Sequence, residues 1–133
     1  MNLDPQAYDE FAELTVESSL GDVTKVIERF DEAFRHGNGN AGFILGHLFS
    51  PYNVILSDTV KAAIGTSQEK SKDCFQNAYP MLMREALTGN GRSMHLIAIY
   101  YQSGLPPVSH DPTQYEHWKN KALNAGYRGA GQL

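Results

Sequence analysis

The five histidines are the residues of this 133-residue chain best suited to acid–base or metal chemistry. They are His36, His47, His95, His110 and His117. A zinc-binding helix needs a motif such as H-E-x-x-H, and a structural zinc site needs clustered Cys and His ligands. Neither pattern occurs, and the single cysteine, Cys74, excludes a cysteine-based site and an internal disulfide. We therefore predict surface or turn histidines, with no metal and no cofactor.

A hydrolase-like site is the catalytic alternative that the residue types leave open. It would use His47 as the base, with a carboxylate such as Asp9 or Glu13 beside it. The chain has no G-x-S-x-G motif for a nucleophile, and neither of its Gly-Asn-Gly triplets extends into a phosphate-binding loop. Cys74 lies among apolar residues at helical spacing and is expected to be a small buried side chain. We predict no catalytic residue, with a small enzyme as the alternative.

A run of carboxylates distinguishes the first predicted helix. Asp9, Glu13 and Glu17 recur every four residues, and Glu10 lies beside them. Residues at that spacing share one helix face, where like charges are mildly destabilising. Two interpretations remain: an ordinary solvated face, or an anionic stripe that binds a basic partner.

The acidic residues are concentrated in the N-terminal half. Residues 1–66 carry ten acids and four bases, a net −6, whereas residues 67–133 carry five acids and seven bases, a net +2. Nucleic-acid binding needs a concentrated basic surface, so this distribution indicates a basic protein partner and no nucleic acid. The start of the chain has no secretory signal, and no apolar run approaches the length of a membrane span. We expect one cytoplasmic domain over 1–133 with no membrane partner.

Six helices are predicted from apolar residues at helical spacing and from their terminal signals. They cover residues 5–20, 23–36, 41–49, 71–88, 92–103 and 113–125. Asp4 and Asp22 are predicted N-caps of the first two. The segment 51–69 is irregular, with a short helix after Ser57. Pro80 is expected to kink or split the helix that contains it.

The chain also repeats itself. Gly-Asn-Gly occurs at 37–39 and 89–91, each time between a helix end and the next apolar run, which makes it the predicted hinge between helix pairs. Equivalent positions in the second helix of each pair are Ala33, Ala86 and Ala122. They are 53 and 36 residues apart, and we interpret the difference of about 17 residues as an insertion in the segment 51–69. One helix pair cannot bury its apolar face alone, and repeated pairs therefore stack.

The repeat resembles a known family. The patterns A-x3-L-G-x-L-[FY] and D-x3-[AY]-x2-W-x2-K-A-x3-G-x3-A are similar to the Sel-one-like repeats, relatives of the tetratricopeptide solenoids. The match is best over 93–130 and looser over 7–50 and 70–92. Phe75 and Leu82 depart from the family, which usually has Asp and often has Trp there. The resemblance implies an all-α fold, a short α/α solenoid of about three antiparallel helix pairs in a right-handed superhelix. The implied pairs cover about 5–37, 40–89 and 92–126, followed by a tail at 127–133.

The resemblance also implies where a partner binds, because the first helices of such pairs commonly line the concave surface. The positions on those helices that are not used for packing are Phe43, His47, Met94, His95, Ile99 and Gln102. Phe43, Met94 and Ile99 are apolar where solvent is expected, which indicates a recognition patch. The alternative is that they pack against 51–69 or a neighbouring helix.

The family serves mainly as adaptors and partner-binding scaffolds and has no shared catalytic residues to carry over. We therefore expect a protein–protein interaction scaffold, in its most specific form an immunity- or inhibitor-type protein that blocks a basic partner such as a nuclease toxin. A self-associating repeat unit, forming a homodimer, is a further alternative. It follows from the end of the chain at 128–133, where another first helix is expected to begin.

Overall fold

The computed structural model of the protein describes residues 3 and 5–128. Over these residues the chain is helical and contains no strand, so the predicted all-α class is confirmed. The helices are α1 (Pro5–Ala12), α2 (Leu20–Arg35), α3 (Gly39–Leu48), α4 (Asp58–Ile64), α5 (Gln68–Leu87), α6 (Gly91–Ser103) and α7 (Pro112–Asn124). The predicted N-cap Asp4 and the tail residues 129–133 lie outside the described residues. None of these helices is long and apolar enough to cross a membrane.

The first helix is shorter than predicted. It ends at Ala12, and residues 13–19 form turns in which side chains bind the backbone donors. The N–H of Thr15 donates to Ser18 Oγ at 2.8 Å, and the N–H of Glu17 donates to Thr15 Oγ1 at 3.1 Å. Ser and Thr hydroxyls compete with helical hydrogen bonds in this way. The prediction of one continuous helix through these residues is therefore wrong.

A serine caps α2 in place of the predicted Asp22. Ser19 is extended, and its Oγ accepts a hydrogen bond from the N–H of Asp22 at 3.1 Å. Gly21 and Asp22 therefore lie in the first turn, where a carboxylate interacts favourably with the helix dipole. Ser57 and Ser67 cap α4 and α5 in the same way. The short helix predicted after Ser57 is confirmed.

Pro80 does not split its helix. The helix α5 runs without interruption from Gln68 to Leu87, so of the predicted kink or split, the split is wrong and the kink stays a prediction. Proline removes the donor for the carbonyl four residues earlier, here that of Gln76. Both Pro80 and Gln76 are exposed residues, so the proline lies on the solvent side of α5.

The two Gly-Asn-Gly triplets form the turns between successive helices. Their first glycines, Gly37 and Gly89, have left-handed φ angles of 93° and 98°, which side-chain-bearing residues rarely adopt. The asparagines are N-caps: Asn38 and Asn90 accept hydrogen bonds from the N–H three residues later, both at 2.9 Å. Each triplet therefore ends one helix, turns the chain and begins the next.

The last glycine of each triplet allows two segments to approach closely. A Cβ on Gly39 would lie 2.7 Å from the backbone nitrogen of Leu82, and a Cβ on Gly91 would lie 2.8 Å from the Cβ of Tyr127. Neither separation is possible without a shift of the backbone or its neighbours. The triplet thus positions α3 on α5, and α6 on the segment that follows α7.

The most extensive helix contacts join α3 to α5 and α6 to α7, while α2 packs on α3 and α5 packs on α6. Gly46 lies against the ring of Phe75, where a Cβ would be 2.7 Å from the ring. The hydroxyl of the fully buried Tyr100 donates to the Phe75 carbonyl at 2.6 Å. Buried apolar side chains from all the helices named above form one cluster. The two grooves described below lie on the surface of this core.

Candidate functional site

An open groove of about 570 Å³ is formed by α1, the turn at 13–19 and α2. Its lining residues are Glu10, Glu13, Leu14, Ser18, Asp22, Lys25, Val26, Glu28 and Arg29. Four carboxylates and two basic groups thus surround the buried apolar side chains of Leu14 and Val26. We name this site the acidic groove.

The acidic groove keeps negative charge after its internal ion pair is formed. Both carboxylate oxygens of Glu10 lie 2.7 Å from Nη1 of Arg29. Residues 5–35 carry eight acids and three bases, a net charge of −5. Glu13 and Glu28 are exposed where they line the groove. A cationic group that approaches α1 and α2 therefore meets an attractive potential.

The predicted anionic stripe is not on one helix face. Asp9 and Glu10 belong to α1, but Glu13 and Glu17 lie in the turn at 13–19. Glu10 and Glu13 line the acidic groove, whereas Asp9 and Glu17 are exposed outside it. The prediction of a helical stripe is therefore wrong. All four residues nevertheless lie in α1 or in the turn at 13–19, within the acidic N-terminal half of the chain.

A second groove, of about 390 Å³, is predominantly apolar. Its lining residues are Phe11, Phe43, Ile44, His47, Tyr52, Asn53, Val54, Ile55, Arg92 and Leu96. They come from α1, α3, α6 and the loop at 50–57, so the first helix of each predicted pair contributes. Phe43, Ile44 and Leu96 are buried walls, whereas Tyr52 and Val54 are 73% and 88% exposed. We name this site the apolar groove.

The loop that forms the rim of the apolar groove is held by specific hydrogen bonds. Asn53 Nδ2 donates to the carbonyls of Leu48 and Ser50, both at 2.9 Å. Lys61 Nζ donates to the carbonyls of Pro51 and Asn53 at 3.2 and 2.9 Å. The segment 51–69 therefore fixes its own loop and presents Tyr52 and Val54 beside the groove.

Among the described residues that line the apolar groove, Arg92 is the only charged one. Its Nε donates to Asn40 Oδ1 at 3.0 Å, and its guanidinium lies 4.4 Å from the centre of the Tyr8 ring. Asn40 Nδ2 and Ser93 Oγ in turn donate to Glu85 Oε2 at 3.0 and 2.8 Å. This network joins α1, α3, α5 and α6 and holds the guanidinium in place. Burial is the main cause that raises the pKa of Tyr8.

The predicted recognition patch is largely internal. Phe43 and Met94 are only 8% and 7% exposed, so the expectation that they face solvent is wrong. Ile99 is half-buried and Gln102 is exposed, and neither lines a groove with Phe43. Phe43 and His47 do line the apolar groove. The alternative of internal packing describes Phe43 and Met94, because α3 and α6 are covered on nearly every side.

His47 lies in an aromatic environment. Its ring centroid is 4.7 Å from that of Phe43 and 5.0 Å from that of Phe75. Burial lowers the pKa of His47, which keeps the ring neutral near neutral pH. Asp9 and Glu13 do not line the groove that contains His47. The structure therefore does not bring together the His–carboxylate pair of the enzyme alternative.

His95 is buried, so the prediction of a surface or turn residue is wrong for it. It is 7% exposed and stacks on Tyr127, with ring centroids 5.0 Å apart. Burial, with a smaller contribution from Arg92, lowers the pKa of His95, and its Nδ1 has no hydrogen-bond partner within the described part of the chain. The exposed histidines are His36, His110 and His117.

Cys74, predicted to be a small buried side chain, is half-buried and packs against the core. Burial, with a contribution from the Asp73 carboxylate, raises the pKa of its thiol to about 11. The thiol is therefore protonated at neutral pH and is a poor nucleophile.

On α3 and α6, the apolar-groove residues that sequence reasoning missed are Ile44, Arg92 and Leu96. In the repeat alignment Arg92 is equivalent to Asn40, and Leu96 is equivalent to Ile44. These pairs are the i and i+4 positions of successive first helices, so they share one face. The signal in the sequence is the position immediately before Ala41 and Ser93, together with the position four residues later.

No group of three or more His, Cys, Asp or Glu side chains that could hold a metal ion occurs among residues 3 and 5–128. Comparison with protein-family models, with curated proteins and with solved structures finds no match for the chain. The resemblance to Sel-one-like repeats stays a prediction.

Proposed function

We propose that the protein is a small cytoplasmic scaffold that binds another protein, and that its acidic groove takes a basic segment of that partner. In this proposal the helices form a short right-handed α/α solenoid of three antiparallel pairs: α1 with α2, α3 with α5, and α6 with α7. The support is the contact of α3 with α5 and of α6 with α7, together with the repeated hinge.

The observation that carries the proposal is the composition of the acidic groove. Carboxylates surround the buried side chains of Leu14 and Val26. Lysine and arginine have apolar stems and charged heads, so a basic segment can pack its stems on Leu14 and Val26 while its heads reach Glu13 and Glu28. An immunity- or inhibitor-type protein that covers the basic substrate surface of a nuclease would use this kind of complementarity.

The test is capture of partners from a lysate of the source organism by wild type and by a charge-reversed variant. The double substitution Glu13→Lys with Glu28→Lys reverses the exposed charge of the acidic groove. The matched control, Glu69→Lys with Glu116→Lys, makes the same change in net charge at exposed residues outside both grooves. Each variant must first show the far-ultraviolet spectrum of the wild type.

The proposal expects one basic protein that binds the wild type and the control, is released by salt and does not bind the groove variant. Retention of every partner by the groove variant would contradict the role of the acidic groove. A concentration-dependent dimer with no captured protein would instead support the self-associating alternative.

A further inference from the structure

The apolar groove has the size and composition of a site for a large apolar side chain. Its volume of about 390 Å³ lies in the lower part of the range of ligand pockets, about 300–1,000 Å³. The buried walls of Phe43, Ile44 and Leu96 are fixed by the core, so the groove does not need to be ordered by its occupant. Preformed apolar walls favour binding because less conformational entropy is lost.

The rim indicates that the occupant is larger than a molecule that fills only the groove. Tyr52 and Val54 are exposed apolar residues, and the loop that carries them is tied down by Asn53 and Lys61. A small ligand seated on the walls would leave most of Val54 in water. A polypeptide that crosses the rim covers Tyr52 and Val54 together, and an exposed apolar rim around a groove is typical of protein-binding surfaces.

Charge defines the second requirement of the occupant. The hydrogen bond from Arg92 to Asn40 uses Nε, so the two terminal nitrogens of the guanidinium are not used by that bond. Neither Asp nor Glu occurs among the lining residues that the structure describes, and the lowered pKa of His47 keeps that ring neutral. A guanidinium held in place at an apolar site is complementary to a carboxylate, which it can bind through two parallel hydrogen bonds.

We propose that the apolar groove binds a polypeptide segment of a partner protein in which a large apolar side chain neighbours a carboxylate. The apolar side chain packs between Phe43 and Leu96, and the carboxylate pairs with Arg92. The inference rests on the proposed function only in that the occupant is a protein. The two grooves then select opposite charges, because the acidic groove takes basic groups and the apolar groove takes an acidic one.

The probe is a fluorescein-labelled peptide, Gly-Ser-Asp-Leu-Phe-Asp-Ser-Gly with an amidated C-terminus, followed by fluorescence anisotropy. Its twin carries Asn in place of both Asp residues. We expect the twin to bind about tenfold more weakly, because the charged hydrogen bonds to Arg92 are lost. A second twin with Ala in place of Leu and Phe is expected to bind no more tightly than free fluorescein.

The matched protein variants are Val54→Asp and Leu87→Asp. Both replace an exposed apolar residue, 88% and 71% exposed, but only Val54 lines the apolar groove. Val54→Asp is expected to weaken peptide binding about tenfold by placing a negative charge beside the peptide carboxylates, and Leu87→Asp is expected to leave it unchanged. Both variants should keep the melting temperature of the wild type, since neither side chain is buried.

Four outcomes would overturn the inference. In the first, the wild-type protein does not bind the peptide at concentrations up to about 1 mM. In the second, the Asn twin binds as tightly as the Asp peptide, and in the third, both protein variants lose the same amount of affinity for the peptide. In the fourth, hexanoate binds as tightly as the peptide. The last would show that the rim contributes nothing. Charge reversal at Glu13 and Glu28 should not change peptide affinity, so failure of this inference is distinguishable from failure of the acidic groove.

Discussion

Glu85 is the residue whose truncation we expect to destabilise the protein most among its charged side chains. Its carboxylate accepts three hydrogen bonds: from the N–H of Gly39 at 2.9 Å, from Asn40 Nδ2 at 3.0 Å and from Ser93 Oγ at 2.8 Å. Asn40 and Ser93 are 6% and 0% exposed, so water cannot easily replace the lost acceptor. Glu85→Ala therefore leaves buried donors on both α3 and α6 without their acceptor.

The magnitude follows from these contacts. A hydrogen bond to a charged group contributes about 1.5–3 kcal/mol, but three bonds to one carboxylate are not additive. Asn40 Nδ2 keeps a longer contact of 3.3 Å with Ser93 Oγ, which offsets part of the loss. We expect Glu85→Ala to lower the free energy of unfolding by about 3–5 kcal/mol. The melting temperature should fall by about 10–15 °C.

Urea unfolding followed by circular dichroism measures the change, and the repeat supplies the control. Glu32 occupies the equivalent position in α2 and is exposed, so Glu32→Ala should change the free energy of unfolding by less than about 0.5 kcal/mol. Glu85→Gln keeps the shape but loses the charge and should lie between the two. A loss below about 1 kcal/mol for Glu85→Ala would refute the reasoning, because buried donors would then have found other acceptors.

Three further changes test the packing and the titrating groups. Gly46→Ala should cost about 1–3 kcal/mol in urea unfolding because its Cβ meets an aromatic ring. Gly21→Ala, whose Cβ would make only an ordinary contact of 3.9 Å with Ser19 Oγ, should stabilise by about 0.5–1 kcal/mol; equal effects would contradict the packing. The pKa values of His47 and His95 are lowered in the folded protein, so in mild acid the unfolded state binds more protons than the folded state. The free energy of unfolding should therefore fall as the pH drops below about 6.5, by up to about 1.4 kcal/mol per pH unit for each histidine. His95→Phe should make that fall about half as steep, and an unchanged slope would show that His95 is not buried as a neutral ring. With a thiol pKa of about 11, Cys74 should react with iodoacetamide near pH 8 about a hundredfold more slowly than free cysteine, and a rate equal to that of free cysteine would contradict its burial.

The helices and hinges could be predicted from the sequence because they depend on local signals. Gly37 and Gly89 need a left-handed conformation, and Asn38 and Asn90 cap the helices that follow. Helix-ending glycines and N-cap asparagines depend only on residues that are close in the sequence, so they can be predicted from it. One exception is the 13–19 segment, where helical spacing continues to Leu14 while hydroxyl side chains end the helix. The others are the cap of α2, which is Ser19 instead of Asp22, and Pro80, which does not split α5.

The grooves were harder to predict because α3 and α6 are covered on nearly every side. Residues 39–46 and 93–98 are all buried, so over these stretches neither helix has a polar face that would indicate which side is exposed. Met94, His95 and Leu96 are all buried and Arg92 is exposed, so no helical periodicity separates the groove residues from their neighbours. The apolar rim at Tyr52 and Val54 depends on how the loop at 50–57 folds against α1, α3 and α6, which residue spacing does not predict.

The association rate of the captured partner, measured by stopped-flow fluorescence as salt is raised from about 20 to about 500 mM, tests the central proposal most directly. Electrostatic attraction by the acidic groove predicts a rate constant that falls at least about tenfold over this range. Glu13→Lys with Glu28→Lys should associate slowly at every salt concentration, and Glu69→Lys with Glu116→Lys should follow the wild type. A rate constant that is independent of salt and equal in all three proteins would contradict the proposal that the acidic groove binds the partner.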